Sequence, residues 1–182
     1  MLSKEKLRKK FIFLRKKKYF FIKQDFFKPL LKILKIKKQR NISLYYPSNY
    51  EVDTLHLFKI LRRKKFFFTS LPKLLPNGKM KFVCWNFLDP LKVNKYGFLE
   101  PMDNSRRIIP EVMIVPIVAF DQFHNRLGYG KGYYDKFLSK YTRGKRPVLT
   151  IGLAFSFQKY KKIPITKSDI KLDYILTEKG IF

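Results

Sequence analysis

Arg126-Leu127-Gly128-Tyr129-Gly130-Lys131-Gly132-Tyr133-Tyr134-Asp135 sets three glycines at alternate positions between an apolar run and a helix-forming stretch. The run before it, Glu111 to Phe120, is apolar and β-branched, as a parallel strand buried on both faces should be. Tyr133 to Tyr141 reads as a helix, Pro147 to Phe155 as a second buried strand and Leu172 to Thr177 as a last one. Strand, glycine loop, helix and strand in that order make a βαβ unit and place the chain in the α/β class.

The loop also has a chemistry. Alternate glycines let the backbone turn tightly and bring N–H groups close to a ligand. A helix N-terminus following the loop adds partial positive charge where a phosphate would sit. Arg126 and Lys131 add formal charge, the first as a fork and the second as a point. Asp135 brings a hard oxygen suited to Mg²⁺ on phosphates. The pattern is not a P-loop, because no Ser or Thr follows Gly130-Lys131, and it is not the dinucleotide fingerprint. Chemistry alone leaves two readings open: a phosphate or nucleotide site, or a tight strand–helix connection with exposed basic residues.

Outward from the loop, Leu7, Phe11 and Leu14 share one face of an N-terminal helix that Lys16 to Lys18 should interrupt. A second helix should start near Asp25, with Pro29 in its first turn and Leu30, Ile33, Leu34 and Ile36 inward. Asn41 to Tyr46 reads as a strand and Glu51 to Arg63 as a helix. Phe66 to Leu71 and Met80 to Trp85 read as strands around a Pro76-Asn77-Gly78 turn. With 182 residues, no internal repeat and no linker, one domain over 1–182 is expected.

Composition sets limits. Hydrophobic residues make up 46% and aromatics 17%, too much for a disordered chain. Lys and Arg number 41 against 13 Asp and Glu, a net charge of +28. Such a charge raises nucleic acid or an anionic membrane as a partner. The abundance of Lys, Phe, Ile and Tyr beside two alanines points instead to compositional drift of a solvated surface. Cys84 is the single cysteine, so a disulfide within the chain and a zinc cluster are excluded; it reads as a small buried hydrophobe. No apolar stretch nears membrane-spanning length and no signal peptide is evident, so a cytoplasmic protein is expected. His56 and His124 have no nucleophile to serve, Trp85 reads as core, and covalent catalysis is not indicated.

The wider stretch Val115-Pro-Ile-Val-Ala-Phe-Asp121, followed by Arg126 to Asp135, resembles the signature of the 5-formyltetrahydrofolate cyclo-ligase (5,10-methenyltetrahydrofolate synthetase) family. Lys4 to Arg8, Tyr45 to Thr54 with Glu51, Tyr96 to Pro101, and Pro164 to Glu178 with Asp169 and Asp173 match that family in order. Ile117 stands where many members have Gly, a departure expected to affect packing rather than chemistry.

The resemblance implies a three-layer α/β/α fold with N-terminal helices. It also implies an ATP- and Mg²⁺-dependent enzyme closing 5-formyltetrahydrofolate to 5,10-methenyltetrahydrofolate; a monomer with no membrane partner is expected, and no nucleic-acid partner despite the charge of +28. By that resemblance, Arg126 to Tyr134 line the ATP phosphates and Lys4 and Arg8 reach in from the first helix. Lys131 and Arg126 act on the transferring phosphoryl group, and Asp135 and Asp173 bind Mg²⁺. Glu51 accepts from the pterin's amino and N–H groups, and Tyr46, Tyr129 and Tyr133 contact the folate. Taken alone, Glu51 reads equally as an acid in a helix's first turn, Lys4 and Arg8 as solvated, and Asp173 as a cap. Rival readings are a small RNA-binding protein, a kinase-like enzyme with another acceptor, and an inactive member of the family.

Overall fold

Ser3 opens the first helix, its hydroxyl accepting from the Lys6 amide at 3.3 Å, and α1 runs from Lys4 to Lys18. Lys16 to Lys18 do not interrupt it. They form its last turn, where cations meet the negative end of the helix dipole. The computed structural model describes residues 2–64, 67–76, 78–102, 106–141 and 147–182. A 3₁₀ turn at Gln24–Phe27 leads into α2 (Lys28–Ile36), with Pro29 in its first turn as expected. After β1 (Asn41–Ser43) comes α3 (Leu55–Arg63), four residues later than the expected start at Glu51. The cause is local: Glu51 N bonds Ser48 O at 2.9 Å in a turn, and Asp53 Oδ1 accepts from Leu55 N at 2.8 Å where the helix begins. Glu51 therefore stands before the helix and not in its first turn.

β2 (Phe68–Leu74) and β3 (Met80–Cys84) follow; Phe66 and Asn77 of the expected strand and turn lie outside the described residues. β4 (Leu91–Val93) and β5 (Leu99–Pro101) form a hairpin, followed by β6 (Arg107–Ile108) and β7 (Val112–Pro116). The run expected to be one strand to Phe120 breaks after Pro116. It resumes as β8 (Ala119–Phe120), paired antiparallel with β9 (Arg126–Leu127). Then come α4 (Tyr133–Tyr141), β10 (Leu149–Leu153), β11 (Tyr174–Thr177) and β12 (Gly180–Ile181).

Eight strands form one sheet in the order β12-β11-β10-β7-β1-β2-β3-β6. The five from β11 to β2 are parallel, and β12, β3 and β6 pair antiparallel at the two edges. All five residues of β7 are buried, and their alternation divides the core. Val112 and Ile114 join Ile42, Leu30, Leu34, Leu57 and Leu61 under α2 and α3, while Met113 and Val115 join Phe137 and Leu138 of α4. Helices thus cover both faces, which is the three-layer α/β/α arrangement the resemblance implied. Ile117 fits a space that glycine makes: a Cβ on Gly152 would lie 2.2 Å from Ile117 Cδ1. Trp85 is core, edge-on to Phe58 at 4.7 Å, whereas Cys84 is half-buried rather than buried.

From β1 the chain moves outward to β2, and from β7 it moves the other way to β10 and β11. The switch between β1 and β7 opens a crevice beyond their carboxyl ends, where open α/β sheets bind ligands. α1 lies over the β8–β9 hairpin beside it, packing Leu7 and Phe11 on Val118, Ala119 and Leu127.

Candidate active site

A cavity of about 860 Å³ occupies this crevice, toward the upper end of the range for small-molecule sites. Its lining includes Tyr45, Tyr46, Ser48 and Glu51 after β1, Pro116 of β7, and the whole segment Arg126 to Asp135. Lys4 and Arg8 enter from α1, Tyr96 and Phe98 from the β4–β5 hairpin, and Asp169 and Ile170 from the stretch before β11.

One half is basic. The glycine loop reaches it through a turn that the buried Asp121 shapes, accepting from the amides of Phe123, Asn125 and Ile163. Gly130 (φ 95°) and Gly132 (φ 66°) are left-handed, where a side chain is strained, so the alternate glycines answer a backbone requirement. Arg8 Nε donates to Gly128 O at 2.9 Å, and a Cβ on Gly130 would lie 3.0 Å from Arg8 Cζ. Lys4 Nζ donates to Asp169 Oδ2. Lys131 is exposed, its ammonium 5.4 Å from the Tyr96 ring centroid.

Arg126 behaves differently from a free phosphate fork. Its side chain is 4% exposed, Nη1 donates to Ile170 O at 2.6 Å and Nη2 to Asp135 Oδ1 at 2.9 Å. Asp135 Oδ1 also accepts from the Ile170 amide at 3.0 Å, which leaves Oδ2 without a hydrogen bond among the described residues. Arg126 thus ties the glycine loop to the segment that carries Asp169.

The other half is aromatic and carries one carboxylate. Tyr96 and Tyr133 hydroxyls are 3.0 Å apart, and the Phe98 and Tyr129 rings lie 6.0 Å apart. Glu51, 6% exposed, accepts from the Ser48 amide (2.9 Å) and hydroxyl (3.2 Å) on Oε2 and from the Tyr129 hydroxyl (2.7 Å) on Oε1. Burial raises the Glu51 carboxyl above its ordinary value, against the Arg15 charge and the Tyr129 and Ser48 hydrogen bonds, which lower it. Tyr129 and Tyr134 are both raised, by burial first and then by the Glu51 charge.

Of the residues expected by resemblance, Lys4, Arg8, Tyr46, Glu51 and all of Arg126 to Asp135 line this one cavity. Asp173 does not. Its Oδ2 accepts from Thr150 N and Oγ1, both at 2.7 Å, near the amino end of β10, and β11 starts only at Tyr174. That places Asp173 at the opposite end of the sheet, as a cap on a neighbouring strand. The acid that does join Asp135 is Asp169, four residues earlier. Burial would raise its carboxyl, but the Lys4 and Thr166 hydrogen bonds and the Lys4 charge together hold it below the usual value.

No group of three or more His, Cys, Asp or Glu that could hold a metal occurs among the described residues. Two carboxylates of hard oxygen fit Mg²⁺, which commonly takes one or two protein ligands and completes its shell with phosphate and water. Asp135 and Asp169 are the residues that could hold it.

Residues 3–178 match the 5-formyltetrahydrofolate cyclo-ligase family. The chain belongs to that family. It is 30% identical over 154 residues to the 5-formyltetrahydrofolate cyclo-ligase of Haemophilus influenzae, with 80% of each chain covered. Against the Escherichia coli K12 enzyme of the same name it is 30% identical over 149 residues, covering 78% of this chain and 79% of the relative. The NMR structure of Aquifex aeolicus 5,10-methenyltetrahydrofolate synthetase aligns at a TM-score of 0.73 and 31% identity, over 99% of this chain and 92% of the other. A 5,10-methenyltetrahydrofolate synthetase from Mycoplasma pneumoniae, TM-score 0.74 and 24% identity over 96% and 98%, shares the fold. Family membership makes the chain a ligase. No helix among the described residues is long and apolar enough to cross a membrane.

Sequence reading missed four contributors to the site. Ser48 is a turn residue three before Glu51, a spacing with no distinctive signature. Tyr96 and Phe98 lie in a stretch that matched the family, but nothing assigned them a wall. Arg15 does not line the cavity, yet it is 1% exposed and bonds Tyr129 from behind. The signal for it was helical spacing, since Lys4, Leu7, Phe11 and Arg15 follow i, i+3, i+7 and i+11 on one face.

Proposed function

We propose that this cavity binds ATP on its basic half and 5-formyltetrahydrofolate on its aromatic half, and converts them to 5,10-methenyltetrahydrofolate, ADP and phosphate. The single observation that carries the reading is that one loop residue, Tyr129, belongs to both halves: its neighbours are the glycine turn, and its hydroxyl bonds Glu51 at 2.7 Å.

A formamide oxygen is a poor leaving group at neutral pH. Transfer of the γ-phosphoryl group to that oxygen, with ADP departing, turns it into a phosphate ester that leaves readily. The N10 amine then attacks the formyl carbon within the same molecule, the N10 proton is lost, and phosphate leaves. Holding N10 beside the carbon contributes roughly 7–11 kcal/mol by proximity. The remaining work is positioning and charge stabilisation. The amides of Gly128 to Gly132 and the α4 N-terminus face the phosphates, with Lys131, Arg8 and Lys4 supplying charge. Arg126, held by Asp135 and Ile170, keeps the loop on the Asp169 segment. When bound by Asp135 and Asp169, Mg²⁺ supplies neutralisation of phosphate charge. Glu51 offers two acceptor oxygens to the pterin's amino and N–H donors, and Tyr46, Tyr129 and Tyr133 line the ring.

The test is near-ultraviolet absorbance on mixing purified protein, 5-formyltetrahydrofolate, ATP and Mg²⁺. Methenyl absorbance that grows only with ATP present supports the reaction. A folded protein that leaves the spectrum unchanged, or forms product without ATP, overturns it.

A further inference from the structure

Arg15 is a cation buried behind the cavity wall and not in it. Its Nη1 donates to Ile117 O at 3.2 Å and its Nη2 to the Tyr129 hydroxyl at 2.6 Å, while Nε is buried with no hydrogen-bond partner among the described residues. An arginine can only donate, so the Tyr129 oxygen must accept, and its proton points to Glu51 Oε1. Glu51 Oε2 accepts from the Ser48 amide, also an obligatory donor. Both carboxylate oxygens therefore accept, with the Ser48 hydroxyl also on Oε2 at 3.2 Å. A buried arginine with an orphaned nitrogen is a poor way to stabilise a core, where an apolar side chain of similar volume is as good or better. Its geometry is explained by what lies in front of it.

We propose that Arg15 is the positioning residue of the folate subsite: from behind the wall it fixes Tyr129 as donor and Glu51 as an oriented, ionised acceptor. This rests on the reading that Glu51 meets the pterin. Because Tyr129 belongs to the glycine loop and Arg15 to the helix that also carries Lys4 and Arg8, the same contact sets the folate acceptor against the phosphate loop. The charged and titratable groups facing Glu51 are Arg15 from α1, Tyr129 from the loop, Tyr45 after β1 and Tyr134 from α4. Arg15 is the member of that set that favours the ionised form by charge.

The experiment compares Arg15→Met with Arg15→Lys, measuring KM for folate and for ATP, kcat, and the pH dependence of kcat/KM for folate. Both variants remove the guanidinium from its packing, but only Arg15→Met removes the charge. Arg15→Met should raise the folate KM roughly tenfold, the scale of one charge-assisted hydrogen bond, with the ATP KM within about twofold. Its acid limb should move to higher pH, while Arg15→Lys keeps the limb in place. A folded Arg15→Met with the wild-type limb and folate KM overturns the proposal, as does an equal rise in both KM values. If Arg15→Met does not fold, Tyr129→Phe carries the test: it breaks the relay and should move the limb the same way, and an unmoved limb overturns the proposal. Glu51→Gln separates the two levels. An unchanged folate KM there sinks the folate reading itself, whereas a raised KM there with an unmoved Arg15→Met limb sinks only the role of Arg15.

Discussion

Gly130→Ala and Gly132→Ala are the same chemical change two residues apart, and the structure gives them different consequences. Both glycines have positive φ, 95° and 66°, so either alanine meets backbone strain of roughly 1–2 kcal/mol. The unfolded chain loses entropy on each Gly→Ala change and offsets roughly 0.4–1 kcal/mol of that. A net cost of about 1 kcal/mol lowers Tm by roughly 2–4 °C for a chain of this size. Around Gly132 a Cβ meets nothing within 4 Å, so the account ends there. At Gly130 it would lie 3.0 Å from Arg8 Cζ and 3.3 Å from Nε and Nη1. The guanidinium is the far end of a flexible side chain and can yield, but yielding pulls Nε from Gly128 O, now at 2.9 Å. A hydrogen bond to a charged group is worth roughly 1.5–3 kcal/mol, and Arg8 is proposed to face the ATP phosphates. Gly130→Ala should therefore raise the ATP KM roughly 10- to 100-fold with a small change in folate KM, while Gly132→Ala changes the ATP KM far less. Steady-state kinetics on both variants, with thermal melts as the stability control, reads this directly. Equal ATP KM values in the two variants would refute the reasoning, because the Arg8 contact is what separates them.

Lys131→Ala should abolish turnover with Tm unchanged, since its exposed ammonium lies 5.4 Å from the Tyr96 ring centroid and makes no hydrogen bond or ion pair among the described residues; retained activity removes it from phosphoryl transfer. Asp135 is better tested as Asp135→Asn, which keeps an acceptor for Arg126; Asp135→Ala leaves that guanidinium buried and unpaired, a loss of roughly 3–5 kcal/mol that would confuse folding with catalysis. Asp173→Ala should keep full activity and cost roughly 1–3 kcal/mol of stability through the lost Thr150 bonds, and a loss of activity at unchanged stability would return Asp173 to the metal site. The lowered Asp169 carboxyl contributes stability above its ordinary value of 3.8 and loses it as pH falls through the folded value, so Asp169→Asn should flatten the acid limb of denaturant stability; an unaltered limb contradicts the Lys4 pairing. Gly152→Ala overpacks Ile117 and Leu172 and should cost roughly 1–3 kcal/mol, part of which Ile117→Val restores in the double variant but not alone.

The order of elements was legible because the parallel strands bury both faces and so appear as unbroken apolar runs. The glycine loop was legible because positive φ admits few other residues. The errors fall where sequence distance misstates spatial distance. Asp169 and Asp173 lie four residues apart in one matching stretch, yet that stretch crosses from the carboxyl end of the sheet to its amino end. Nothing in the residue types says where β11 begins, and its start at Tyr174 decides which carboxylate reaches the cavity. Glu51 went astray in the same way: the helical pattern of Leu55, Phe58 and Leu61 extended backwards over a turn that Ser48 and Asp53 hold by side-chain bonds.

Arg15 shows a different limit. In a chain with 41 Lys and Arg, every basic residue on a terminal helix has the same prior of lying in water. The apolar stripe Leu7, Phe11, Leu14 put Arg15 one position past the buried face, but Leu14 is half-buried and Arg15 is 1% exposed. The inward face continues regularly from Leu7 and Phe11 to Arg15, and this last inward position looks onto Tyr129 and Ile117 O rather than onto hydrocarbon. A large positive charge thus hides individual cations: most of the surplus is on the surface with Lys131 among it, while Lys4, Arg8, Arg126 and Arg15 are partly or fully withdrawn from it. Lys4, Arg8, Arg126 and Arg15 each have an acceptor on the glycine loop, the hairpin beside it or the segment before β11, and it is this place in the fold, not the count, that sets them apart.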